Sequence, residues 1–421
     1  MIGSIFRNTF RTSLVLGVRL FLQAGTLLLV ARTLGPEKFG IFTGLAALAV
    51  LLGMLSTFGM HLVLLAEMSK EPARRALVLP YAVPSTLLFG GLLLVVYGLI
   101  CAWLLGLNNI PIEIILLIGF TEILLQPLLI LMVSEHHAIG KIAYSQILQL
   151  LPIAFRMIAA TGIFFLHPSR AMHIYAACYA VASVLSLVYG ASRLPARWPA
   201  WRDWRLPNRN EWIDAFGYAA INVSKAGPAE LDKTLALRLL PHSAAGVYAA
   251  AARVVGAITL PVTAMTLSAL PKLFRDGGKL SGRYLLKWMY GAASLYSLLI
   301  AGALWLATPW ISSLFGVQYE GINSVIRLLC FAIPGMALRL VAGNALMAFG
   351  RPWIRVEFEA AGLIILLFTS MVLTDRCDMA GLALAVACAE WSMAMIGTWL
   401  VVRESKKNRG SEAHVKQEEA E

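Results

Sequence analysis

Five basic residues of this 421-residue chain lie inside long apolar stretches. Placing Arg or Lys at the centre of an apolar membrane helix costs about 2.5–3.5 kcal/mol, so each needs a wet cavity, an acidic partner or an anionic ligand. A guanidinium group holds phosphate oxygens in pairs through its forked donors. These residue types predict a cationic site for a phosphate-containing anion, and the five residues are Arg19, Arg156, Lys225, Arg253 and Arg339.

Polar neighbours accompany two of these cations. Gln23 follows Arg19 by one helical turn, which places both on one face. A second polar stripe covers an arc of about 100° on another helix and comprises Asn222, Lys225, Asp232 and Lys233. We therefore expect Gln23 and Asn222 to assist the cations in binding, and Pro228 to weaken the helix beside Lys225.

Acidic residues also occur inside the apolar stretches, at Glu122, Asp232 and Glu390. A carboxylate in a low-dielectric environment can exchange a proton near neutral pH, so these three are candidates for coupling to H+ or Na+. Alternatively, they pair with the buried cations as structural bridges. The cations outnumber these acids, which favours ligand binding for the remainder.

The sequence gives little sign of a metal or cofactor site. Glu135, His136 and His137 are adjacent, but no further ligand lies nearby at a zinc-like spacing. The five cysteines are scattered through apolar runs without a CxxC pair, which is typical of packing residues. No phosphate-binding GxxxxGK[ST] loop occurs, so we expect no ATPase activity and no cofactor.

The composition predicts that these charged residues lie in membrane-spanning helices. Hydrophobic residues make up 59% of the chain and charged residues 14%, which is more apolar surface than a soluble core can bury. Each span needs about 20 apolar residues. We expect an all-α membrane protein with about twelve transmembrane helices, at residues 12–32, 39–65, 77–105, 110–133, 142–166, 171–192, 213–240, 243–270, 285–310, 322–349, 355–374 and 379–402.

Basic residues alternate between the predicted loops and so predict the orientation. Translocating short basic segments is disfavoured, and the net charge of +12 is concentrated in every second loop. This pattern explains the positive charge without nucleic acid as a partner. Both termini are therefore predicted to be cytoplasmic, and the first apolar run is predicted to be a retained helix because it contains Arg19 and Gln23 and lacks a cleavage motif.

A basic, aromatic segment at residues 193–212 divides the chain nearly in half. Its tryptophans and arginines suit the headgroup layer of a membrane, so membrane lipids are expected partners. The predicted domains are an N-terminal six-helix bundle (1–192), this interfacial linker (193–212), a C-terminal six-helix bundle (213–402) and a disordered cytoplasmic tail (403–421).

Weak internal similarity links the two halves. At an offset of 206 positions, Gly40 aligns with Gly246 and Arg19 with Lys225. Six spans per half make both halves enter from the same side, which predicts parallel repeats with a substrate cavity between them near the midplane.

Several strings then resemble one family. Residues 31–42 read ARTLGPEKFGIF and are followed by Phe58-Gly59; the second half carries Asp232-Lys233, Gly246-Val247-Tyr248, Ala252-Arg253, Pro261 and Pro271. The chain is similar to polysaccharide and O-antigen transporters of the Wzx type, in the multidrug/oligosaccharidyl-lipid/polysaccharide (MOP) exporter superfamily. The resemblance covers nearly the whole chain and implies the MATE-like fold of that superfamily.

The resemblance also implies a function. Such transporters flip a polyprenyl-diphosphate-linked oligosaccharide, the repeat unit of exopolysaccharide, capsule or lipopolysaccharide O-antigen, to the periplasmic leaflet of the bacterial inner membrane. Coupling to a H+ or Na+ gradient and a partner polysaccharide polymerase are implied in the same way. The chain lacks the two extra helices of the peptidoglycan-precursor branch, which disfavours lipid II as its substrate.

Two other functions remain open at this stage. A multidrug or cation antiporter of the same superfamily would need a cavity of the opposite charge, since its ligands are usually cations. A membrane polysaccharide polymerase or glycosyltransferase would need catalytic carboxylates or a large periplasmic loop. The predicted periplasmic loops are short, so we expect a transporter and no enzymatic activity.

Overall fold

Helices dominate the described part of the chain. The computed structural model describes residues 2–104, 110–276 and 280–418; within these ranges the side chains of residues 2–16, 104, 142–143, 221, 223–226, 267, 270–272, 274–276, 280–283 and 407–418 lie outside the description. No β-strand occurs among the described residues. The α-helices are α1 (Ile2–Ser56), α2 (Met60–Lys70), α3 (Arg75–Leu99), α4 (Ile112–Gly119), α5 (Gln126–Ala138), α6 (Ile142–Leu166), α7 (Ala171–Ser192), α8 (Arg209–Leu239), α9 (His242–Ile258), α10 (Leu260–Asp276), α11 (Leu280–Phe315), α12 (Ile322–Cys330), α13 (Ala332–Ala348) and α14 (Pro352–Glu418).

Many of these helices are long and apolar enough to cross a membrane. Eight pass that test among the described residues, and α12 with α13, bent by 42°, make a ninth. The twelve predicted spans all fall on helices, although some are interrupted by π-helical segments or short breaks. The prediction of an all-α, multi-pass membrane protein is confirmed.

Two very long helices each contain two predicted spans. The first, α1, breaks at Gly35, whose φ of 71° and ψ of 168° are non-helical. Glycine adopts this conformation without steric penalty, and Pro36 then restarts the helix. The other, α14, breaks at Cys377 and Asp378. These breaks separate the first span from the second and the eleventh from the twelfth.

The chain forms two compact units. Unit 1 comprises Met1–Ala226 and Pro241–Gly246, and unit 2 comprises Gly227–Leu240 and Val247–Glu421. The linker at 193–212 therefore lies within unit 1, together with the first part of α8. The division of the chain at that linker stays a prediction.

The helix α14 continues beyond the last predicted span, to Glu418, and the disorder of the tail at 403–421 stays a prediction. An ion pair lies at the start of this extension: Glu404 is 5% exposed, and its Oε2 lies 3.4 Å from Nε of the exposed Arg351. The Arg403 guanidinium also lies 5.6 Å from the Trp399 ring. The apolar helix thus gains polar contacts that carry it beyond residue 402, and 419–421 lie outside the described residues.

A hydrophobic cluster in unit 1 joins α2, α3 and α5. Its buried members include Leu64, Leu79 and Leu131, and both Trp198 and Trp212 of the linker region pack against it. Burial of such aromatic side chains is a major source of packing energy. The linker is thereby held against the helices of its own unit.

Candidate substrate and ion-coupling residues

Arg19 is a cation in unit 1 without an acidic partner. It is half-buried on α1, and its Nη1 donates a hydrogen bond to Oε1 of Gln149 on α6 at 3.3 Å. Within the described residues, no carboxylate forms an ion pair with it. Gln23, one turn further along, is exposed. A neutral amide does not cancel the charge of Arg19, which leaves it free to attract an anion.

Arg156 and Glu122, one predicted cation and one predicted acid, contact each other in unit 1. Nη2 of Arg156 lies 3.1 Å from Oε1 of Glu122 and donates to Oγ of Ser183 at 3.0 Å. The guanidinium carbon lies 3.5 Å from the Tyr179 ring centroid, and the Tyr179 hydroxyl donates to the same Glu122 oxygen. Arg156 is therefore neutralised in this structure, as the alternative of structural pairing expects.

Glu122 lies in a π-helical segment, Phe120–Leu125, inserted between α4 and α5. Such insertions are rare and are frequently found at functional sites. A Cβ on Gly53 of α1 would meet the Glu122 carbonyl oxygen at 2.2 Å. Glycine at position 53 therefore lets α1 pass directly against the segment that carries this carboxylate.

Arg339 and Glu390 form a buried ion pair in unit 2. Nε and Nη2 of Arg339 donate to the two carboxylate oxygens of Glu390 at 2.7 and 3.3 Å. Nη1 of Arg339 also lies 3.6 Å from Oε1 of Glu359, which in turn accepts a hydrogen bond from Nε of Arg355 at 3.2 Å. Two arginines and two glutamates balance in this network, so Arg339 has no surplus charge for a ligand.

Sequence reasoning missed Arg355 and Glu359. Both lie in the predicted span 355–374 but were not among the candidate charges, yet Arg355 is 1% exposed and Glu359 is 0% exposed. Gly343 makes room for the arginine, since a Cβ there would lie 2.9 Å from Nε of Arg355. The spacing of four residues between Arg355 and Glu359 is typical of a helical ion pair and was the available signal.

Asp232, the third candidate acid, is also fully engaged in unit 2. It accepts a hydrogen bond from the Tyr248 hydroxyl at 2.9 Å and from the backbone amide of Lys233 at 2.8 Å. Nζ of Lys233 lies 3.2 Å from the same carboxylate and donates to the carbonyl of Ala229. Asp232 thus neutralises its neighbour in the chain.

Asn222 contacts a histidine that sequence reasoning missed. Nδ2 of Asn222 lies 3.1 Å from Nε2 of His61, and Nδ1 of His61 lies 2.8 Å from Oγ1 of Thr57. Because an amide nitrogen only donates, Nε2 of His61 accepts and Nδ1 donates to Thr57. The side chain of Lys225, three residues beyond Asn222, lies outside the described residues.

Arg253 in unit 2 resembles Arg19 in having no acidic partner among the described side chains. It is half-buried on α9, and its buried Nε has no hydrogen-bond partner. Among the residues whose side chains are described, no carboxylate forms an ion pair with it. A buried donor without a partner is costly, so an anionic ligand that accepted a hydrogen bond from this Nε would remove that cost.

The candidates therefore fall into two groups. Arg156 and Arg339 are paired with Glu122 and Glu390, whereas Arg19 and Arg253 have no acidic partner in the described part of the chain. The substrate-binding role of Arg19, Lys225, Arg253, Arg156, Arg339, Gln23 and Asn222, and the coupling role of Glu122, Asp232 and Glu390, stay predictions.

Several solved structures share this fold. A multidrug resistance MATE family transporter of the MOP superfamily, in an inward-facing conformation, matches with a TM-score of 0.72 and 14% identity over 95% of this chain and 98% of that chain. The lipid II flippase MurJ matches with a TM-score of 0.73 and 11% identity over 94% of this chain and 89% of that one. A MOP superfamily transporter from Pyrococcus furiosus, described as having a binding pocket of reverse polarity, matches with a TM-score of 0.68 and 12% identity over 96% of each chain.

Sequence comparison supplies the family. No curated protein matches the chain in sequence. The profile of the family described as "Polysaccharide biosynthesis protein" matches residues 5–275, which is more than half of the chain. This protein belongs to that polysaccharide biosynthesis family and has the fold of the MOP superfamily transporters.

Proposed function

We propose that this protein flips a polyprenyl-diphosphate-linked oligosaccharide from the cytoplasmic to the periplasmic leaflet of a bacterial inner membrane. The oligosaccharide is a repeat unit of exopolysaccharide, capsule or O-antigen, and the movement proceeds by alternating access. Membership of a polysaccharide biosynthesis family and a transporter fold support a carrier that acts on a glycan intermediate. Both termini are cytoplasmic in this proposal, and a polysaccharide polymerase receives the flipped product.

Arginines without acidic partners carry the proposal. Among the side chains that the structure describes, Arg19 in unit 1 is bound by a neutral amide and by no carboxylate, and the buried Nε of Arg253 in unit 2 has no partner. A diphosphate offers several anionic oxygens, which match the forked donors of guanidinium groups. Each unit thus presents a cation that a lipid diphosphate would neutralise.

Coupling to H+ or Na+ would act through the paired acids, of which Glu122 is the best placed. It shares Arg156 with Ser183 and Tyr179 and lies in a π-helical segment. A proton or Na+ on Glu122 would weaken its ion pair and release Arg156 to bind a diphosphate. Glu390 and Asp232 could act in the same way on Arg339 and Lys233. If only one of the three acids couples transport to the ion gradient, replacing that acid with its amide should abolish coupling, and replacing either of the other two should not.

A multidrug or cation antiporter is the second candidate, since the fold is shared with a multidrug resistance transporter. Such a carrier needs negative charge for cationic drugs, and the three candidate acids, Glu122, Asp232 and Glu390, are each paired with arginine or lysine. A polymerase or glycosyltransferase is less well supported, because the structural relatives named above are transporters. The charge distribution favours an anionic cargo.

The deciding experiment is deletion of the gene followed by analysis of the accumulated lipid-linked oligosaccharide. Accumulation of a complete repeat unit on the cytoplasmic leaflet, reversed by the wild-type gene, is the expected result. Increased sensitivity to cationic drugs with normal glycan export would favour the antiporter. Accumulation of flipped but unpolymerised repeat units on the periplasmic leaflet would favour the polymerase.

A further inference from the structure

The linker at residues 193–212, here called the linker platform, is fastened to unit 1 by a buried carboxylate. Glu135 on α5 is 0% exposed. Its two oxygens accept hydrogen bonds from Nε1 of Trp198 at 2.6 Å and from Nε of Arg75 at 2.6 Å. Charge-assisted hydrogen bonds to a buried group are among the stronger ones, so this contact fixes the first part of the platform.

Arg75 extends this attachment to the platform backbone. Its Nη2 donates to the carbonyl oxygen of Ala196 at 2.7 Å, and its Nη1 donates to that of Arg197 at 3.3 Å. Two nitrogens of this guanidinium hold the linker backbone, and the third holds the Glu135 carboxylate that binds Trp198. The chain path at 196–198 is fixed by contacts to helices α3 and α5.

A second attachment lies at Arg205. Its backbone amide donates to the carbonyl oxygen of Pro80 at 3.0 Å, and its guanidinium lies 4.6 Å from the Tyr81 ring centroid. Two of its nitrogens bind the two oxygens of Glu211 at 2.7 and 2.8 Å. At the end of the platform, Trp212 packs edge-on against Phe58 at 5.2 Å.

Side chains that take no part in these attachments are exposed. Trp201 is 72% exposed, Leu206 67% and Trp204 40%. The same segment carries four exposed arginines outside the Glu211 pair, at Arg193, Arg197, Arg202 and Arg209. Asp203 is the one exposed acid of the platform outside that pair. The exposed side chains of the platform are therefore both aromatic and strongly basic, while Trp198, Arg205 and Trp212 hold the segment to the helices.

We propose that the linker platform is a preformed binding surface for anionic phospholipid headgroups. Arg197, Arg202 and Arg209 bind headgroup phosphates, and the Trp201 and Trp204 rings lie at the level of the headgroups, where indoles are favoured. Basic residues near a membrane surface attract anionic lipid. Because its backbone is already fixed, the platform loses little conformational freedom on binding. This interaction is independent of the cargo that the protein carries.

The test measures quenching of tryptophan fluorescence by brominated lipid in nanodiscs made of equal parts phosphatidylglycerol and phosphatidylcholine. In one preparation the phosphatidylglycerol carries bromine on its acyl chains, and in the other the phosphatidylcholine does. Because the chain has 11 tryptophans, the fluorescence of the variant Trp201→Phe/Trp204→Phe is subtracted from that of the wild type, which leaves the signal of Trp201 and Trp204. We expect brominated phosphatidylglycerol to quench this signal about twofold more than brominated phosphatidylcholine, with the preference reduced at high ionic strength.

A triple variant separates the platform from general surface charge. Arg197→Gln/Arg202→Gln/Arg209→Gln should abolish the lipid preference. The matched control removes three exposed cations elsewhere on the predicted cytoplasmic side and should retain it: Lys287→Gln/Arg403→Gln/Lys406→Gln. Equal quenching by both lipids in the wild type overturns the proposal, and so does a preference that survives in the platform variant. If that variant does not fold, the wild-type comparison at low and high ionic strength decides alone.

Discussion

Gly40 of α1 and Gly246 of α9 pack backbone against backbone in unit 1. A Cβ on Gly40 would lie 2.5 Å from the amide nitrogen of Gly246, and a Cβ on Gly246 would lie 1.8 Å from the carbonyl oxygen of Pro36. These two glycines align with each other at the offset of 206 residues that relates the two halves of the sequence. Equivalent positions of the proposed repeat therefore meet, and each requires glycine because of the other.

Gly246→Ala should destabilise the protein. The added methyl group would overlap the backbone of α1, and overpacking of this kind costs about 1–3 kcal/mol. Thermal unfolding of the detergent-solubilised protein measures the effect as a lower midpoint. Gly256→Ala on the same helix is the control, because no atom lies within 4 Å of its Cβ position. Equal midpoints for the two variants would contradict this account of the contact.

Breaking the Arg156–Glu122 pair from one side should cost more than removing both charges. Arg156→Gln leaves the Glu122 carboxylate buried beside Tyr179 without its cation, and a lost partner in a buried pair costs about 3–5 kcal/mol. In the double variant Arg156→Gln/Glu122→Gln no charge is left unpaired. Unfolding midpoints of the two single variants and the double variant form a complete cycle. Additive losses would show that the two side chains act independently.

The linker attachment predicts a smaller, local effect. Trp198→Phe keeps the ring but removes the indole N–H that donates to buried Glu135, a loss of about 1–3 kcal/mol. Trypsin should then cleave faster at the platform arginines. Trp201→Phe alters an exposed ring of the same segment and should leave the cleavage rate unchanged. Similar cleavage rates for the two variants would argue against Glu135 as an anchor.

The second attachment predicts a pH dependence. Hydrogen bonds from Arg205 lower the pKa of Glu211 from its ordinary value of 4.5. Because the pKa is lowered in the folded state, the contribution of Glu211 to stability is complete above 4.5 and is lost as the pH falls through the lowered value. Hydrogen exchange at residues 205–212, corrected for the intrinsic pH effect, should accelerate in that range. Arg205→Gln should abolish the acceleration.

Sequence reasoning located the helices well because a span depends on local apolar content alone. The interval between the first two predicted spans, 12–32 and 39–65, contains the observed break at Gly35, and Gly-Pro is a typical turn dipeptide. The break at Cys377 and Asp378 has no comparable signal, although the apolar content on either side still predicted two spans.

The charged network was less predictable from sequence. Glu122 and Arg156 are 34 positions apart, and Arg339 and Glu390 are 51 apart, so their pairing depends on helix packing that no local pattern encodes. The sequence predicted which charged residues lie inside the membrane spans, but it did not predict which of them pair with each other. Arg355 and Glu359 were missed although both lie in the predicted span 355–374.

Transport by Arg19 and Arg253 is tested most directly in proteoliposomes. The measured quantity is the rate at which a polyprenyl-diphosphate-linked oligosaccharide crosses the bilayer. Arg19→Gln/Arg253→Gln should lower this rate about tenfold or more, since each lost charge-assisted contact to phosphate is worth about 1.5–3 kcal/mol. The unfolding midpoint of this double variant should match that of the wild type. Arg170→Gln replaces an exposed arginine before α7 and should leave the flipping rate of the oligosaccharide unchanged. An undiminished rate in the double variant would contradict the account.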